Sequence, residues 1–193
     1  MKRARKPAGS APRLRLVTLR LETLDRLGVD ALVLGVCSDD RPLQGAAGLC
    51  DWRLNGRLSA LVQSGAFTGA ADEVLLTDTG ARIGTARVLL LGLGPKGGLE
   101  LAAVRRGLRQ MLVVAKKACL ARLALELPGL GRPNGPAPAE LAALTLEVVD
   151  KAYAEVELEL LVPSREQGEA LLHGLGEGHA EWREEPSSPP APA

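Results

Sequence analysis

Two uninterrupted apolar runs constrain the fold of this chain more than any other feature of its sequence. They read ALVLGVC at residues 31–37 and VLLLGLG at residues 88–94. A strand that is apolar on both faces lies inside a sheet that other layers cover on both sides. Because aromatic residues make up only 2% of the chain, Leu, Val and Ala must fill those layers. The runs therefore predict an α/β layer structure around a buried sheet.

Further strands are predicted by alternating or short apolar segments elsewhere in the chain. Alternation predicts a first strand that starts at residue 14, and others are expected at 123–127 and 156–162. Two apolar runs separated by a glycine-bearing turn predict a hairpin over 73–94.

Helices are predicted where apolar residues recur at intervals of three and four, over 43–62, 101–118 and 139–154. A last helix begins after Ser164, whose spacing to Gln167 is that of a capping box, and ends near residue 174. Strands that alternate with helices predict a three-layer α/β/α domain over residues 13–176, with a mixed, mostly parallel sheet.

The two ends of the chain lack this periodicity. Residues 1–12 are basic and rich in Pro, Gly and Ala, and residues 177–193 are rich in Pro, Ser and Glu. We expect both to be disordered, because they have little apolar surface to bury. No apolar run reaches the ~18 residues of a membrane helix, and no apolar signal-peptide core follows the basic N-terminus. We therefore expect a cytoplasmic protein with no membrane partner.

Cysteine and histidine placement predicts neither a disulfide framework nor a metal site. Cys37, Cys50 and Cys119 are odd in number, lack CxxC spacing and lie in apolar patterns, so we interpret them as reduced core residues. His173 and His179 lie in a Gly-rich stretch with no cysteine nearby, which argues against zinc. No cofactor is predicted.

Charge is distributed unevenly along the chain although its net value is only +1. Residues 1–122 hold 20 Lys or Arg against 10 Asp or Glu, whereas residues 123–193 hold 4 against 13. Either the two parts face each other in the fold or the basic part meets an anionic partner. The first explanation is the simpler one.

The helix over 101–118 carries much of the positive charge. Its polar face has five cations and no acid, namely Arg105, Arg106, Arg109, Lys116 and Lys117. We predict that this face is exposed and meets a protein partner or a second copy of the chain. A nucleic-acid partner is disfavoured, because Trp52 and Trp182 do not interleave with the basic residues.

The loop GLGPKGG is the one candidate for a small-ligand site. It follows a strand and precedes a helix, so the candidate ligand-binding residues are Gly92, Gly94, Lys96, Gly97 and Gly98. Its spacing matches neither GxGxxG nor GxxxxGK[ST], and Pro95 removes one amide donor. The alternative is that the glycines only allow a tight exit from a buried strand. We favour this structural role.

The order of segments resembles the N-terminal domain of the leucyl aminopeptidase, or cytosol aminopeptidase, family. DALVLGV is followed by LCDWRLNGRLSALVQSGAFTGAADEVLLTDTG and then by RVLLLGLG. The family's Gly-x-Phe-x-Gly turn corresponds to Gly65, Phe67 and Gly69, and its Gly-Leu-Gly strand end to Gly92, Leu93 and Gly94. The resemblance covers about residues 14–175.

This resemblance implies a fold related to the macro domain. It also implies a domain that is not itself catalytic, and that in full-length enzymes flanks a C-terminal domain with two metal ions and helps to build a hexamer. Related macro domains bind ADP-ribose, but this sequence has no Asn-Ala-Ala-Asn-like segment for the distal ribose. Some bacterial members of the family bind DNA.

The catalytic residues of the family cannot be placed on this sequence. A two-metal peptidase needs several carboxylates and a lysine around adjacent metals, and no Asn-Thr-Asp-Ala-Glu-Gly-Arg-like segment is present. Asp39 and Asp40 fall in a turn, and Glu155, Glu157 and Glu159 share one strand face that we expect to be solvated. We therefore expect no catalytic residues and no enzyme.

The expected function is that of a stand-alone, non-catalytic aminopeptidase N-terminal-like domain that serves protein interaction or assembly. The alternatives are a binder of ADP-ribose or another nucleotide through a macro-like cleft, and a binder of anions or nucleic acid through the basic helix.

We predict that the purified protein has no aminopeptidase activity when zinc, manganese or cobalt is added, because the residues that would hold the metals are missing from the sequence. A leucyl chromogenic substrate provides the assay. Hydrolysis that follows the protein through every purification step would contradict the prediction.

Overall fold

A seven-stranded sheet organises the protein. The structure is a computed structural model and describes residues 14–132, 134–152, 156–176 and 178–183. Its strands are β1 (Leu14–Thr18), β2 (Ala31–Val36), β3 (Val74–Asp78), β4 (Arg87–Gly92), β5 (Arg122–Glu126), β6 (Glu157–Val162) and β7 (Ala180–Trp182). Its α-helices are α1 (Leu21–Asp25), α2 (Gly45–Arg53), α3 (Arg57–Gln63), α4 (Leu101–Lys117), α5 (Pro138–Ala152) and α6 (Arg165–Leu175).

The strands lie in the order β3-β4-β2-β5-β6-β1-β7. Every neighbouring pair is parallel except β3 and β4, which form the predicted antiparallel hairpin. The expectation of a mixed, mostly parallel sheet is confirmed.

Helices cover both faces of the sheet, as the apolar runs require. In β2, Ala31 and Val33 point into the apolar cluster beneath α4, α5 and α6. Leu32 and Leu34 point into the second cluster, beneath α1, α2 and α3. All four side chains are almost completely buried. The three-layer α/β/α architecture is therefore confirmed.

The helix predicted over 43–62 is two helices. The chain breaks at Asn55 and Gly56, whose φ angles are 55° and 77°. Both residue types enter this left-handed region more readily than others, so they end α2 and turn the chain into α3. The Asp51 carboxylate then accepts hydrogen bonds from the amide and the hydroxyl of Ser59, in the first turn of α3. Periodicity alone does not reveal the break.

Part of the predicted disordered tail, residues 177–193, is a strand. β7 adds to the edge of the sheet parallel to β1. The Trp182 ring lies under the Arg165 guanidinium, 4.0 Å from its centroid, which fixes the strand against α6. The prediction of disorder is wrong for these residues. The predicted disordered arm at 1–12 and residues 184–193 lie outside the described residues.

Two side-chain predictions also differ from the structure. Cys37 and Cys50 are buried as expected, but Cys119 is exposed, just past the end of α4. Glu159 is not solvated, because the Arg183 guanidinium donates to its carboxylate at 2.6 Å and both side chains are largely buried. Glu157 is exposed, and Glu155 lies outside the described residues. In the described part of the chain, no helix has the length and apolar character needed to cross a bilayer.

Candidate functional site

A cleft of about 810 Å³ opens at the carboxyl edge of the sheet, next to β2, β4 and β5. The chain leaves β2 toward the β4 side and later crosses through α4 to β5 on the other side. Open α/β sheets bind ligands at such a reversal of strand order. Lys96 and Gly97 line one wall of the cleft, and Arg132 and Asn134 line the opposite wall.

The first two glycines of the candidate loop are required by the backbone itself. A Cβ atom on Gly92 would lie 1.8 Å from the carbonyl oxygen of Ala70, so no other residue fits there without a backbone shift. Gly94 has a φ of 74° and donates its amide to the Gly69 carbonyl at 2.9 Å. These glycines let the strand exit pack against the Gly-x-Phe-x-Gly turn. Their geometry agrees with the structural role favoured from the sequence.

Lys96 lies at the cleft, but two carboxylates of the chain already bind it. Its amide donates to Asp39 Oδ1 at 2.9 Å, and its Nζ atom lies 2.8 Å from Asp40 Oδ1. An anionic ligand at this loop would compete with both contacts. Gly97 lines the cleft without any heavy atom near its Cβ position. Gly98 follows in the same 3-10 turn.

Asp40 is the most deeply buried acid at this edge, with only 2% of its surface exposed. Its Oδ2 atom accepts a hydrogen bond from the Cys37 amide at 3.0 Å, and the Arg132 guanidinium lies 3.7 Å away. Burial alone would raise the pKa of Asp40. The hydrogen bonds from Lys96 and Cys37, together with Arg132, outweigh that effect and hold the pKa below its ordinary value. Asp40 therefore remains a carboxylate, and it contacts both Lys96 and Arg132.

Two of the helices that begin near the cleft, α2 and α5, have an amide at their start bound by a carboxylate. The amide of Ala46, in the first turn of α2, donates to Glu126 Oε2 at 2.8 Å. The amide of Ala137, directly before α5, donates to Glu140 Oε2 at 2.9 Å. Helix N-termini attract anions because their amides lack partners within the helix. At α2 and α5 the chain supplies those anions itself, whereas no side chain among the described residues caps α4, whose Leu101 also lines the cleft. The cleft therefore has the location of a ligand site, but carboxylates of the chain already bind its cations and the starts of α2 and α5.

No group of three or more His, Cys, Asp or Glu side chains within the described ranges is arranged to hold a metal ion.

The basic face of α4 lies away from this cleft. Arg106, Arg109, Lys116 and Lys117 are exposed, and Arg105 is half-buried. The Glu147 carboxylate on α5 binds Arg105 at 3.0 Å and Arg109 at 3.3 Å. A residue of the acidic part of the chain thus balances two cations of the basic part, as the simpler explanation of the charge asymmetry requires.

Sequence analysis missed Arg132 and Glu140, which line the cleft, and Asp40 and Glu126, whose carboxylates bind groups beside it. A signal was available for two of them. Asp40 closely follows the apolar run 31–37, and Arg132 lies in the loop after the strand predicted at 123–127. The carboxyl ends of neighbouring parallel strands meet at one edge, so the parallel sheet predicted from the sequence brings these two loops together. The pairing of each carboxylate with a particular amide could not be read from the sequence.

Comparisons with known proteins agree on one family and one fold. The model of the cytosol aminopeptidase family, N-terminal domain, matches residues 33–157. A probable cytosol aminopeptidase of Syntrophotalea carbinolica is 40% identical over 103 residues, which are 52% of this chain and 20% of that protein. The chain therefore spans about a fifth of the length of that relative.

Solved structures show the same fold. A mutant of tomato leucine aminopeptidase has a TM-score of 0.58 at 16% identity, over 88% of this chain and 37% of that chain. A Trypanosoma brucei macrodomain in complex with ADP-ribose has a TM-score of 0.66 at 16% identity, over 85% of this chain and 69% of that chain. The expected macro-domain-like fold is confirmed.

We predict that Glu126→Gln raises the melting temperature at about pH 7.5 and leaves it unchanged near pH 4. Burial raises the pKa of Glu126, so the fold disfavours its ionised form. The resulting loss of stability is absent below the ordinary pKa of about 4.3 and complete above the raised pKa. Gln keeps an oxygen that accepts the Ala46 amide but carries no charge.

Glu100→Gln is the matched control, because it is the same substitution at an exposed position beside the cleft. Thermal unfolding followed by circular dichroism provides the measurement. A lower melting temperature for Glu126→Gln at the higher pH would show that the charged form stabilises the start of α2.

Proposed function

The chain belongs to the cytosol aminopeptidase family, whose N-terminal domain it contains, and from that premise we propose that it is a non-catalytic module for protein interaction or assembly. The exposed basic side of α4 is its contact face. The observation that carries the proposal is the contrast between this face and the cleft: a buried carboxylate binds both cations at the cleft, Lys96 and Arg132, whereas much of the α4 charge faces solvent.

Arg106 and Lys117 are central to the contact face. Both are exposed, and within the described ranges neither forms an ion pair. A face of one charge sign steers a complementary partner and sets specificity more than it stabilises the fold. Exposed ion pairs contribute only about 0.2–1 kcal/mol each, so the protein gains little stability from these cations. Partner recognition is the role that this charge supports best.

We predict that Arg106→Glu combined with Lys117→Glu leaves the melting temperature within a few degrees of wild type but weakens association. The change reverses two exposed charges without breaking any ion pair among the described residues. Affinity capture from the native cells, quantified by mass spectrometry, measures binding to other proteins, and light scattering measures self-association.

Arg20→Glu combined with Arg26→Glu is the matched control. Both residues are exposed, flank α1 on the opposite face of the sheet and give the same change in net charge. Proteins lost from the first variant and retained by the control would support the proposal. If both variants keep the same partners and the same mass as wild type, the α4 face serves only solvation.

A second candidate function is the binding of ADP-ribose or a related nucleotide in the cleft. The placement of Lys96 and Arg132 on opposite walls of an 810 Å³ cleft favours it, as does the fold shared with a macrodomain in complex with ADP-ribose. The carboxylates of Asp39, Asp40 and Glu140 argue against it, because each already binds a donor that a phosphate would use. We therefore place it second.

We predict that millimolar ADP-ribose or ATP leaves the melting temperature unchanged. Saturation at 100 times the dissociation constant would add about 2.7 kcal/mol of stability, which shifts the melting temperature of a protein of this size by several degrees. Each protein is compared with its own ligand-free state, because Lys96→Ala also removes a partner of the buried Asp40. If the ligand raises the melting temperature of the wild type and Lys96→Ala abolishes that rise, nucleotide binding in the cleft becomes the first candidate function.

A further inference from the structure

The outer edge of β3 offers backbone groups that no other strand pairs with in the described part of the chain. β3 is the first strand in the sheet order and pairs only with β4. The Gly92 amide donates to the Glu73 carbonyl at 2.8 Å, and the Thr79 amide to the Ala86 carbonyl at 3.1 Å. Since hydrogen-bonding direction alternates along an antiparallel strand, odd-numbered residues face β4. Val74, Leu76 and Asp78 therefore direct their N–H and C=O groups outward.

Leu76, at the centre of this edge, is apolar and 43% exposed. It pairs across the hairpin with Leu89, which belongs to the apolar cluster beneath α4. Opposed residues in a sheet point to the same face, so Leu76 points toward the layer that contains α4. The only charged residue in β3 is Asp78, which a bidentate contact from Arg57 neutralises at 2.8 and 3.0 Å. The strand therefore has no unpaired charge that would discourage an added strand.

The basic side of α4 borders this edge. The Gln110 side chain donates to the carbonyl of Asp72, shortly before β3, at 2.6 Å. Arg106, Val113 and Lys117 lie four residues before and three and seven residues after Gln110, so they share its side of the helix. Val113 is apolar and 44% exposed. Together the outer edge of β3, Leu76, Val113, Arg106 and Lys117 define the β3–α4 surface.

We propose that the β3–α4 surface binds an extended, acidic segment of a protein partner as an additional strand of the sheet. This inference rests on the proposed interaction role and adds where and how the partner docks. Main-chain hydrogen bonds to Val74 and Leu76 supply affinity, as in other cases of strand addition. Acidic side chains on the face toward α4 approach Arg106 and Lys117, and an apolar residue covers Leu76.

Charge favours this occupant over two others. A second copy paired through β3 would place two basic α4 faces on the same side of the joined sheet, where like charges oppose association. A nucleic acid would satisfy the cations but has no peptide groups to pair with the edge. An acidic strand is complementary to both the cations and the backbone groups.

The probe is a labelled peptide, Glu-Thr-Glu-Thr-Val-Thr-Glu-Thr-Glu. As a strand it places Val and Glu on one face and Thr on the other, and the amides of Val and Glu point to one edge. Fluorescence anisotropy measures its binding to the full chain at roughly 0.05 M and 0.3 M salt. We expect binding that weakens several-fold at the higher salt.

Two N-methylated versions of the peptide test strand addition on the wild-type protein. In the first version, the amide nitrogens of the central Val and of the Glu residues two positions before and after it are methylated. This removes the donors that face β3 and is expected to weaken binding by on the order of tenfold. Methylation of the Thr residues removes donors that face away, so it serves as the matched control and should leave binding unchanged. Equal affinity for both versions would overturn strand addition, while the role of the α4 face would still be judged by the charge-reversed variant.

Protein variants test the same contacts from the other side. Leu76→Pro removes an outward N–H without touching the bonds to β4, and Pro is tolerated at such edge positions. Its affinity for the peptide is expected to fall on the order of tenfold, while Leu76→Thr, which keeps the N–H, falls less. Arg106→Glu with Lys117→Glu should also weaken binding, whereas Arg20→Glu with Arg26→Glu should not.

Three further outcomes would overturn the inference. The first is failure of the peptide to bind at low salt. The second is a doubled mass in light scattering that Leu76→Pro restores to that of a monomer, because it would identify a second copy as the occupant. The third is salt-sensitive DNA binding that displaces the peptide and survives Leu76→Pro, because it would identify a nucleic acid.

Discussion

The burial of β2 and β4 on both faces is the constraint from which the rest of the structure follows. Their side chains can leave water only if helices cover each face, and the chain meets that demand with α4, α5 and α6 on one side and α1, α2 and α3 on the other. Parallel strands covered in this way need crossovers, so all loops that follow β2, β4 and β5 emerge at one edge. The cleft therefore follows from the topology of the sheet and does not depend on which residues line it.

The architecture places positive charge at this edge, but carboxylates of the chain bind much of it. Helices that begin here bring partial positive charge, and Lys96 and Arg132 add full charges. Asp40 binds both cations, and other carboxylates accept the amides next to α2 and α5. Asp40 joins the loops after β2, β4 and β5 from a buried position, so its pairing stabilises the edge mainly because an unpaired buried charge there would be costly. The residues at the cleft thus hold the loops in place.

The sequence predicts the layers better than it predicts the cleft. Apolar runs and three-four spacing locate β2, β4 and α4 closely, because side-chain burial on a regular element leaves a periodic trace. The break between α2 and α3 depends on two left-handed residues, Asn55 and Gly56, and β7 is held beside β1 by contacts that include the Trp182 ring beneath Arg165. Such single contacts leave no periodicity. The same holds for Glu126 and Ala46, which are 80 positions apart and meet only in the folded sheet.

The two cationic regions of the molecule differ in one respect that bears on function. At the cleft, the buried Asp40 carboxylate would destabilise the fold without a cationic partner, so the presence of Lys96 and Arg132 beside it needs only a structural explanation. On α4, cations face water and cost the fold little whether or not they are paired. Glu147 binds Arg105 and Arg109 on the side toward α5, while the side toward β3 carries Arg106 and Lys117 with exposed Val113, on the face of the sheet to which exposed Leu76 points. Cations beside exposed apolar side chains and an open strand edge provide three different attractions at one place, and a single acidic strand would satisfy all three at once.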